Sequence, residues 1–214
     1  METIQNTGVP TIVILVNGRP LGVEWIADHV AALIEAWEPG SFGGQAIADI
    51  LYGKVNPSAK MPVTVPRNVG QIQSVYNHKL TSNWFPYAIG KNGPLFHFGY
   101  GLSYTTYQYT NLRLSKSEIS TDETLTASID ITNTGQMDGD EIVQLYIGDD
   151  FSSVTRPLKE LKGFKRISLK KGEQKTVTFD ITPHMLSFYD TDMNFKVEKG
   201  TFKIMVGSSS RDED

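Results

Sequence analysis

The sequence contains no cysteine. That excludes disulfides, thiolate metal sites and a cysteine nucleophile, and it leaves the redox compartment undetermined. Histidine is scarce: His29, His78, His97 and His184 are scattered. None forms a His-x-x-x-His pair or joins a carboxylate at ligand spacing, so no metal site is expected. No stretch approaches the roughly 20 apolar residues that a membrane helix needs. Met1-Glu2-Thr3-Ile4-Gln5 has neither the basic region nor the apolar run of a signal peptide. Positive charge is not in excess. The net charge of -4 argues against a general nucleic-acid binder. There is no Gly-x-Ser-x-Gly elbow, and Gly40-Ser41-Phe42-Gly43-Gly44 lacks the Lys-Ser/Thr of a phosphate loop. No cofactor is expected.

What is present divides at an aromatic stretch. Pro94 to Tyr107 holds Phe96, Phe98, Tyr100, Tyr104 and Tyr107, with Gly99 and Gly101 between them. Before it, strand and helix patterns alternate. Residues 2 to 7 read as a helix tail ending near Gly8. Thr11 to Val16 is a β-branched run, apolar on both faces, as in a buried parallel strand. It stops at the turn signal Asn17-Gly18-Arg19-Pro20. Ile26, Val30, Leu33, Ile34 and Trp37 share one face at helical spacing and predict a helix ending before Pro39-Gly40. A second helix is predicted from about Gly44 to Tyr52, with Gly53 as its C-terminal cap. Ser41 reads as a helix cap. Met61 to Val65 reads as an edge strand, because Pro62 and Pro66 suit no central position.

A strand that is apolar on both faces needs neighbours on both edges and layers above and below. Residues 1 to 70 cannot supply them. This part is therefore expected to be the C-terminal piece of a larger doubly wound α/β domain. The remainder would come from upstream sequence or another chain.

After the aromatic stretch the period becomes two. Leu125, Ala127, Ile129 and Ile131 alternate with polar residues, and so do Val143-Leu145-Ile147, Val177-Phe179-Ile181 and Phe202-Ile204-Val206. With shorter pieces near 107–114, 161–167 and 195–197, about seven strands predict an immunoglobulin-like or fibronectin type III-like β-sandwich. The expected fold is α/β plus β. A partial α/β domain spans 1–75, an aromatic linker or seam 76–106, and a fibronectin type III-like β-sandwich 107–214. Phe96, Phe98, Tyr100 and Tyr104 are expected to be largely buried, with Gly99 and Gly101 letting the backbone turn.

Val13-Ile14-Leu15-Val16-Asn17-Gly18-Arg19-Pro20-Leu21 resembles the last strand and following loop of the second domain of glycoside hydrolase family 3. Ile34 to Gly40, Gly43-Gly44, Ala46 to Asp49, Asn56 to Pro62 and Gly70-Gln71-Ile72 resemble the same family. The most specific match is Phe98-Gly99-Tyr100-Gly101-Leu102-Ser103-Tyr104-Thr105. In the sandwich half, Thr132 to Gly135, Ser153 to Pro157 and Glu160 to Phe164 carry the likeness. Within the family the sequence resembles the bacterial β-glucosidase branch.

The resemblance implies a parent enzyme that removes terminal β-D-glucosyl residues with retention. That chemistry needs two carboxyl groups about 5 Å apart. In the family the nucleophile is an Asp in an N-terminal barrel and the acid/base is a Glu of the second domain. Neither maps onto this chain, so no catalytic residue is assigned and the chain alone is expected to be inactive. A β-glucoside or oligosaccharide substrate is implied through the parent enzyme, with the barrel and missing strands as required partners. No nucleic acid or membrane is implied, and a homo-oligomer is an open option. Localisation is left open, being periplasmic or secreted where it follows the family. The alternative reading is a carbohydrate-binding or structural β-sandwich module.

Individual motifs have competing readings. Arg19, at the carboxyl end of a parallel strand, could face the parent cleft, against a role in a structural loop or salt bridge. Trp84 and Phe85 are candidates for stacking on sugar, against burial. Glu35 and Glu38 around Trp37 could mark a sugar site, but a solvated helix end beside a core Trp is preferred. The basic run from Arg156 to Lys175 is read as solvated strand faces protecting a sheet edge. Asp138, Asp140, Glu141, Asp149 and Asp150 lack calcium-loop spacing.

Overall fold

The structure, a computed structural model, describes residues 1–71, 74–80 and 91–211. The chain forms two compact units. One comprises Met1–Val55, Met61–Val75 and Tyr87–Phe98; the other comprises Asn56–Lys60, Tyr76–Pro86 and Gly99–Asp214.

In the first unit, α1 (Glu2–Gln5) ends in a turn at Gly8, whose φ of 74° suits glycine. Strand β1 (Ile12–Leu15) follows, then α2 (Glu24–His29), β2 (Ala32–Glu35) and α3 (Gly43–Leu51). The predicted helix through Trp37 is overturned: α2 ends at His29, and Ala32–Glu35 pairs in parallel with β1, Ile14 opposite Ile34. The apolar spacing fits a helix, but strand pairing with β1 satisfies backbone groups that β1 would otherwise leave open. Helix α3 matches expectation. Its end is a Schellman motif, with Gly53 N–H to Ile50 C=O at 2.9 Å and Lys54 N–H to Asp49 C=O at 2.8 Å. Gly53 has the required positive φ of 70°. Ser41 is not the cap; Phe42 holds that position without a side-chain bond. Met61 to Val65 is not a strand either. Only Val65 bridges, antiparallel to Phe96, because the flanking prolines supply no N–H for a ladder.

The parallel pair β1–β2 is a two-stranded sheet among the described residues. Ile12, Ile14 and Val16 are 51%, 37% and 64% exposed. An apolar strand face is thus open to solvent, as expected of an incomplete α/β layer.

Among the described residues the second unit carries eight strands: β3 (Tyr107–Leu114), β4 (Leu125–Asn133), β5 (Gly139–Asp149), β6 (Glu160–Leu169), β7 (Gln174–Ile181), β8 (Phe188–Tyr189), β9 (Phe195–Lys196) and β10 (Phe202–Gly207), with α4 (Pro183–Leu186) before β8. One sheet is ordered β3-β4-β7 and the other β10-β5-β6, all antiparallel. Their inner faces form the core: Ala127, Ile129, Ile131, Val177, Phe179 and Ile181 from one sheet, with Val143, Leu145, Ile147 and Leu169 from the other. This is the alternation read in the sequence.

The outer faces differ. On β4 and β7 the outer positions are Thr126, Ser128, Asp130, Thr132, Thr176, Thr178 and Asp180, a polar surface. On β5 the outer Gln144 and Tyr146 are buried. Tyr76 meets Tyr146 edge-on, with ring centroids 5.9 Å apart. Gln144 Nε2 donates to the carbonyls of Gly99 (3.1 Å) and Ser208 (2.6 Å), and Tyr146 donates to Gln144 Oε1. The chain before β3 therefore lies against this sheet as part of the same unit. Asn56 Oδ1 accepts from Ser103 and from Tyr104 N–H, both at 2.8 Å. Lys60 pairs with the buried Glu141 at 3.0 Å, and Tyr109 donates to the same oxygen.

The glycines of the aromatic stretch act as anticipated. Gly99 has a φ of 80°, and a Cβ there would lie 2.1 Å from Gln144 Oε1. A Cβ on Gly101 would lie 2.3 Å from the Ala59 carbonyl oxygen. The aromatics depart from expectation. Phe96, Phe98 and Tyr100 are half-buried and Tyr104 is 47% exposed. Burial falls on Gly99, whose carbonyl accepts from Gln144, and on Thr105, whose hydroxyl donates to Asn133.

Asn133, at the end of β4, is completely buried. Its Nδ2 donates to the carbonyls of Met137 (2.7 Å) and Leu169 (3.2 Å). Its Oδ1 accepts from Thr105 Oγ1 (2.6 Å) and Gly135 N–H (3.1 Å). Asn133→Ala leaves these groups unpaired and is expected to cost about 3 kcal/mol in urea unfolding. Thr178→Ala, on the solvated face, is expected to stay within about 0.5 kcal/mol.

Two carboxylates make this unit acid-sensitive. Arg113, Thr176 and Asn111 hold Asp130 well below the usual carboxylate range. Lys196 and the Asn194 N–H hold Asp190 at about 2. A carboxylate with a depressed folded pKa stabilises fully above its unfolded pKa and loses that contribution as pH falls through the folded one. The melting temperature of the sandwich is therefore expected to fall between about pH 4 and pH 2. Asp130→Asn is expected to flatten that profile while lowering stability at pH 7.

Candidate functional site

Parallel strands present their carboxyl ends on one side, which is where open α/β sheets place sites. Here the two ends are joined by one polar cluster. Asn17 Nδ2 donates to Glu35 Oε1 (3.1 Å) and Oε2 (3.2 Å). Asn17 Oδ1 accepts the Arg19 N–H at 3.0 Å. Glu35 Oε1 also accepts the Trp37 N–H at 3.1 Å, and Asn17 N–H donates to the Trp37 carbonyl at 3.2 Å. The ladder reaches this point through Ala36 N–H to Leu15 C=O at 2.9 Å.

Trp37 has a φ of 52°, a left-handed conformation that few aromatic residues adopt. Such a backbone costs on the order of 1 kcal/mol and persists where its surroundings hold it. Glu35 and Asn17 hold both sides of this peptide unit. The carboxylate of Glu35 is occupied by donors, so its role is to orient Trp37. Glu38, read together with Glu35 as an acid pair, is exposed and lies beside Gly18. Arg19 is exposed, and it forms no ion pair among the described residues. Of the predicted site residues, the structure therefore places Arg19 beside the Asn17–Glu35–Trp37 cluster. Trp84 and Phe85 lie outside the described residues.

The other acids and bases are taken up structurally. Arg156 pairs with Asp149 (3.0 Å) and Glu160 (2.9 Å), Arg166 with Asp140 (2.6 Å), and Lys203 with Asp150 (3.0 Å). Lys162 pairs with Glu160 and Lys175 with Glu173. Within the basic run, Arg156, Lys162, Arg166 and Lys175 are thus charge-paired, Lys159 donates to the Ser210 carbonyl and Lys165 lies over the Phe179 ring. No group of three His, Asp or Glu side chains converges for a metal among the described residues. A cavity of about 50 Å³ beside Tyr146, Lys159 and Met205 is far too small for a sugar, since ligand pockets run to about 300 Å³ or more. The sequence marks Asn17 only as part of a turn; its bonds to Glu35 and the bent Trp37 backbone follow from the pairing of β1 with β2.

Residues 1–104 match the glycosyl hydrolase family 3 C-terminal domain, and residues 141–210 match a fibronectin type III-like domain. The chain is 44% identical over its whole length to a β-xylosidase of Formosa agariphila, covering 30% of that protein. It is 42% identical to a periplasmic β-glucosidase of Salmonella typhimurium over 98% of the chain and 29% of the relative. A solved β-glucosidase from Listeria innocua, in complex with glucose, superposes with a TM-score of 0.90 at 36% identity, over 98% of this chain and 30% of that one. The chain thus spans about 30% of the length of the curated relatives it matches.

Asn17→Ala removes the brace between the strand ends. Hydrogen exchange of the Trp37 amide is expected to accelerate at least about tenfold, while exchange in α3 stays unchanged.

Proposed function

The chain belongs to glycoside hydrolase family 3, corresponding to its C-terminal portion, and from that we propose that it serves a retaining β-glycosidase acting on terminal β-glucosyl or β-xylosyl residues. The observation that carries this reading is the combination of the exposed apolar face of β1 with a family likeness running through both units. The sheet is incomplete in the way expected of a domain whose other strands lie elsewhere in the enzyme.

In this reading the two carboxyl groups of the retaining reaction are supplied by the rest of the enzyme. The present residues complete the sheet and brace the cleft wall. The Asn17–Glu35–Trp37 cluster fixes the rim at the carboxyl ends of β1 and β2, and Arg19 projects there as a substrate-facing cation. Glu35 is a positioning residue, because its oxygens are already occupied by donors. The substrate is a β-glucoside or β-xyloside, as the names of the relatives suggest. The required partner is a polypeptide carrying the barrel and the remaining sheet strands.

Complementation tests this. The isolated chain is expected to leave an aryl β-glucoside and an aryl β-xyloside intact. Mixed with a polypeptide corresponding to the other 70% or so of a family enzyme, it is expected to restore hydrolysis. Turnover by the isolated chain that is lost on Glu35→Gln would contradict the assignment.

A further inference from the structure

The hairpin of β8 and β9 spends rigid support on displaying apolar rings. Tyr189 and Phe195 are directly opposite each other across the two strands. They are 58% and 45% exposed, with ring centroids 5.0 Å apart and planes inclined by 47°. The exposed His184 extends the group, 5.4 Å from Phe195, and Met193 sits exposed at the tip. Phe188, on the other face of the hairpin, is buried beneath the Arg156 guanidinium at 4.8 Å, so the strand is anchored to the sandwich.

The tip is braced from within. Asp190 is buried and accepts the N–H groups of Asp192 and Asn194, both at 2.9 Å, and the Lys196 ammonium at 2.8 Å. Met193 is held at a φ of 63°. A hairpin tip needs none of this to stay soluble; a polar tip would do better. The rings are therefore displayed in a fixed arrangement.

We propose that this hairpin is a stacking platform for chains of β-linked pyranoses whose substituents are all equatorial, such as β-1,4-glucan or xylan. Such sugars carry only C–H groups on both ring faces, which suits aromatic faces flanked by polar groups at the rim. Asn194, Asp192 and His184 are exposed beside the rings. Lys196 is paired with Asp190 and Glu198, and Asp192 adds an exposed negative charge at the tip, so a neutral ligand with hydroxyl groups fits better than an anionic one. Four half-exposed side chains offer on the order of 300 Å². A stable protein interface needs about 800 Å² on each partner. The patch accommodates one or two sugar rings and is too small for a second copy of the chain. The choice of glucose and xylose polymers rests on the proposed function; the platform itself needs no catalysis.

The test is titration of the full chain with cellopentaose and xylopentaose, followed by hairpin amide shifts and by calorimetry. A β-1,4-galactan oligomer, whose axial C4 linkage oxygens bend the chain and obstruct one ring face, serves as the control. Saturable binding is expected, with shifts confined to residues 188–196 and weaker binding of the galactan. Tyr189→Ala and Phe195→Ala are each expected to weaken binding about tenfold. Asp190→Ala keeps both rings yet is expected to weaken binding as well, with the β4 and β5 amides still protected. No binding, or binding unchanged in both ring variants, overturns the proposal, and so does self-association in sedimentation that the ring variants abolish. None of these outcomes touches the complementation result.

Discussion

A parallel β-sheet must be covered on both faces and paired along its edges before it is stable, and two strands cannot meet that demand alone. The first unit is governed by this constraint. β1 and β2 satisfy each other along one edge, and Ile12 and Ile14 of β1, with Val16 just after it, remain exposed. Helices α2 and α3 are short, and α3 is closed at its C-terminal end by the Gly53 turn. The carboxyl ends of the strands are nevertheless ordered by Asn17, Glu35 and the bent Trp37. A rim so specifically braced on an unfinished sheet suits one segment of a larger cleft.

The second unit solves the opposite problem. With no disulfide available, its two sheets are held by an apolar interior and by buried polar side chains with their bonding capacity filled. Asn133 joins the end of β4 to Thr105, Met137 and Leu169. Gln144 ties β5 to Gly99 and Ser208, and Glu141 receives Lys60 and Tyr109. Each of these groups would be costly if left unpaired, so they fix one arrangement of the preceding chain against the β5 sheet. The sandwich is thereby a complete body that includes residues well before its first strand.

The sandwich was the more legible half. Alternation at period two follows directly from a strand with one face in a core, and β4, β5, β7 and β10 carry it in the sequence. Helix α3 and its Gly53 cap were equally plain, because the cap needs a positive φ. The stretch from Val30 to Trp37 misled because its apolar residues fit a helical face, while its actual conformation was set by the pairing demand of β1. Local pattern does not carry that information. The aromatic stretch is special in the structure too, but its tightest contacts are made by glycine backbone and by the Thr105 hydroxyl. At the strand ends, the turn signal singles out Arg19, which lies exposed there with its N–H on Asn17. The brace from Asn17 to Glu35 depends on β1 and β2 being neighbours, which the helix reading had excluded. Tyr189 and Phe195 were hidden because a two-residue strand has too few positions to show a period.

The central claim is that one unit is complete and the other is finished by additional polypeptide. Amide hydrogen exchange of the isolated chain at neutral pH measures it most directly. Amides of β4, β5 and β7 are expected to be strongly protected and those of β1 and β2 to exchange orders of magnitude faster, slowing when the remainder of a family enzyme is added. Protection of β1 and β2 in the isolated chain equal to that of β4 and β5 would contradict it.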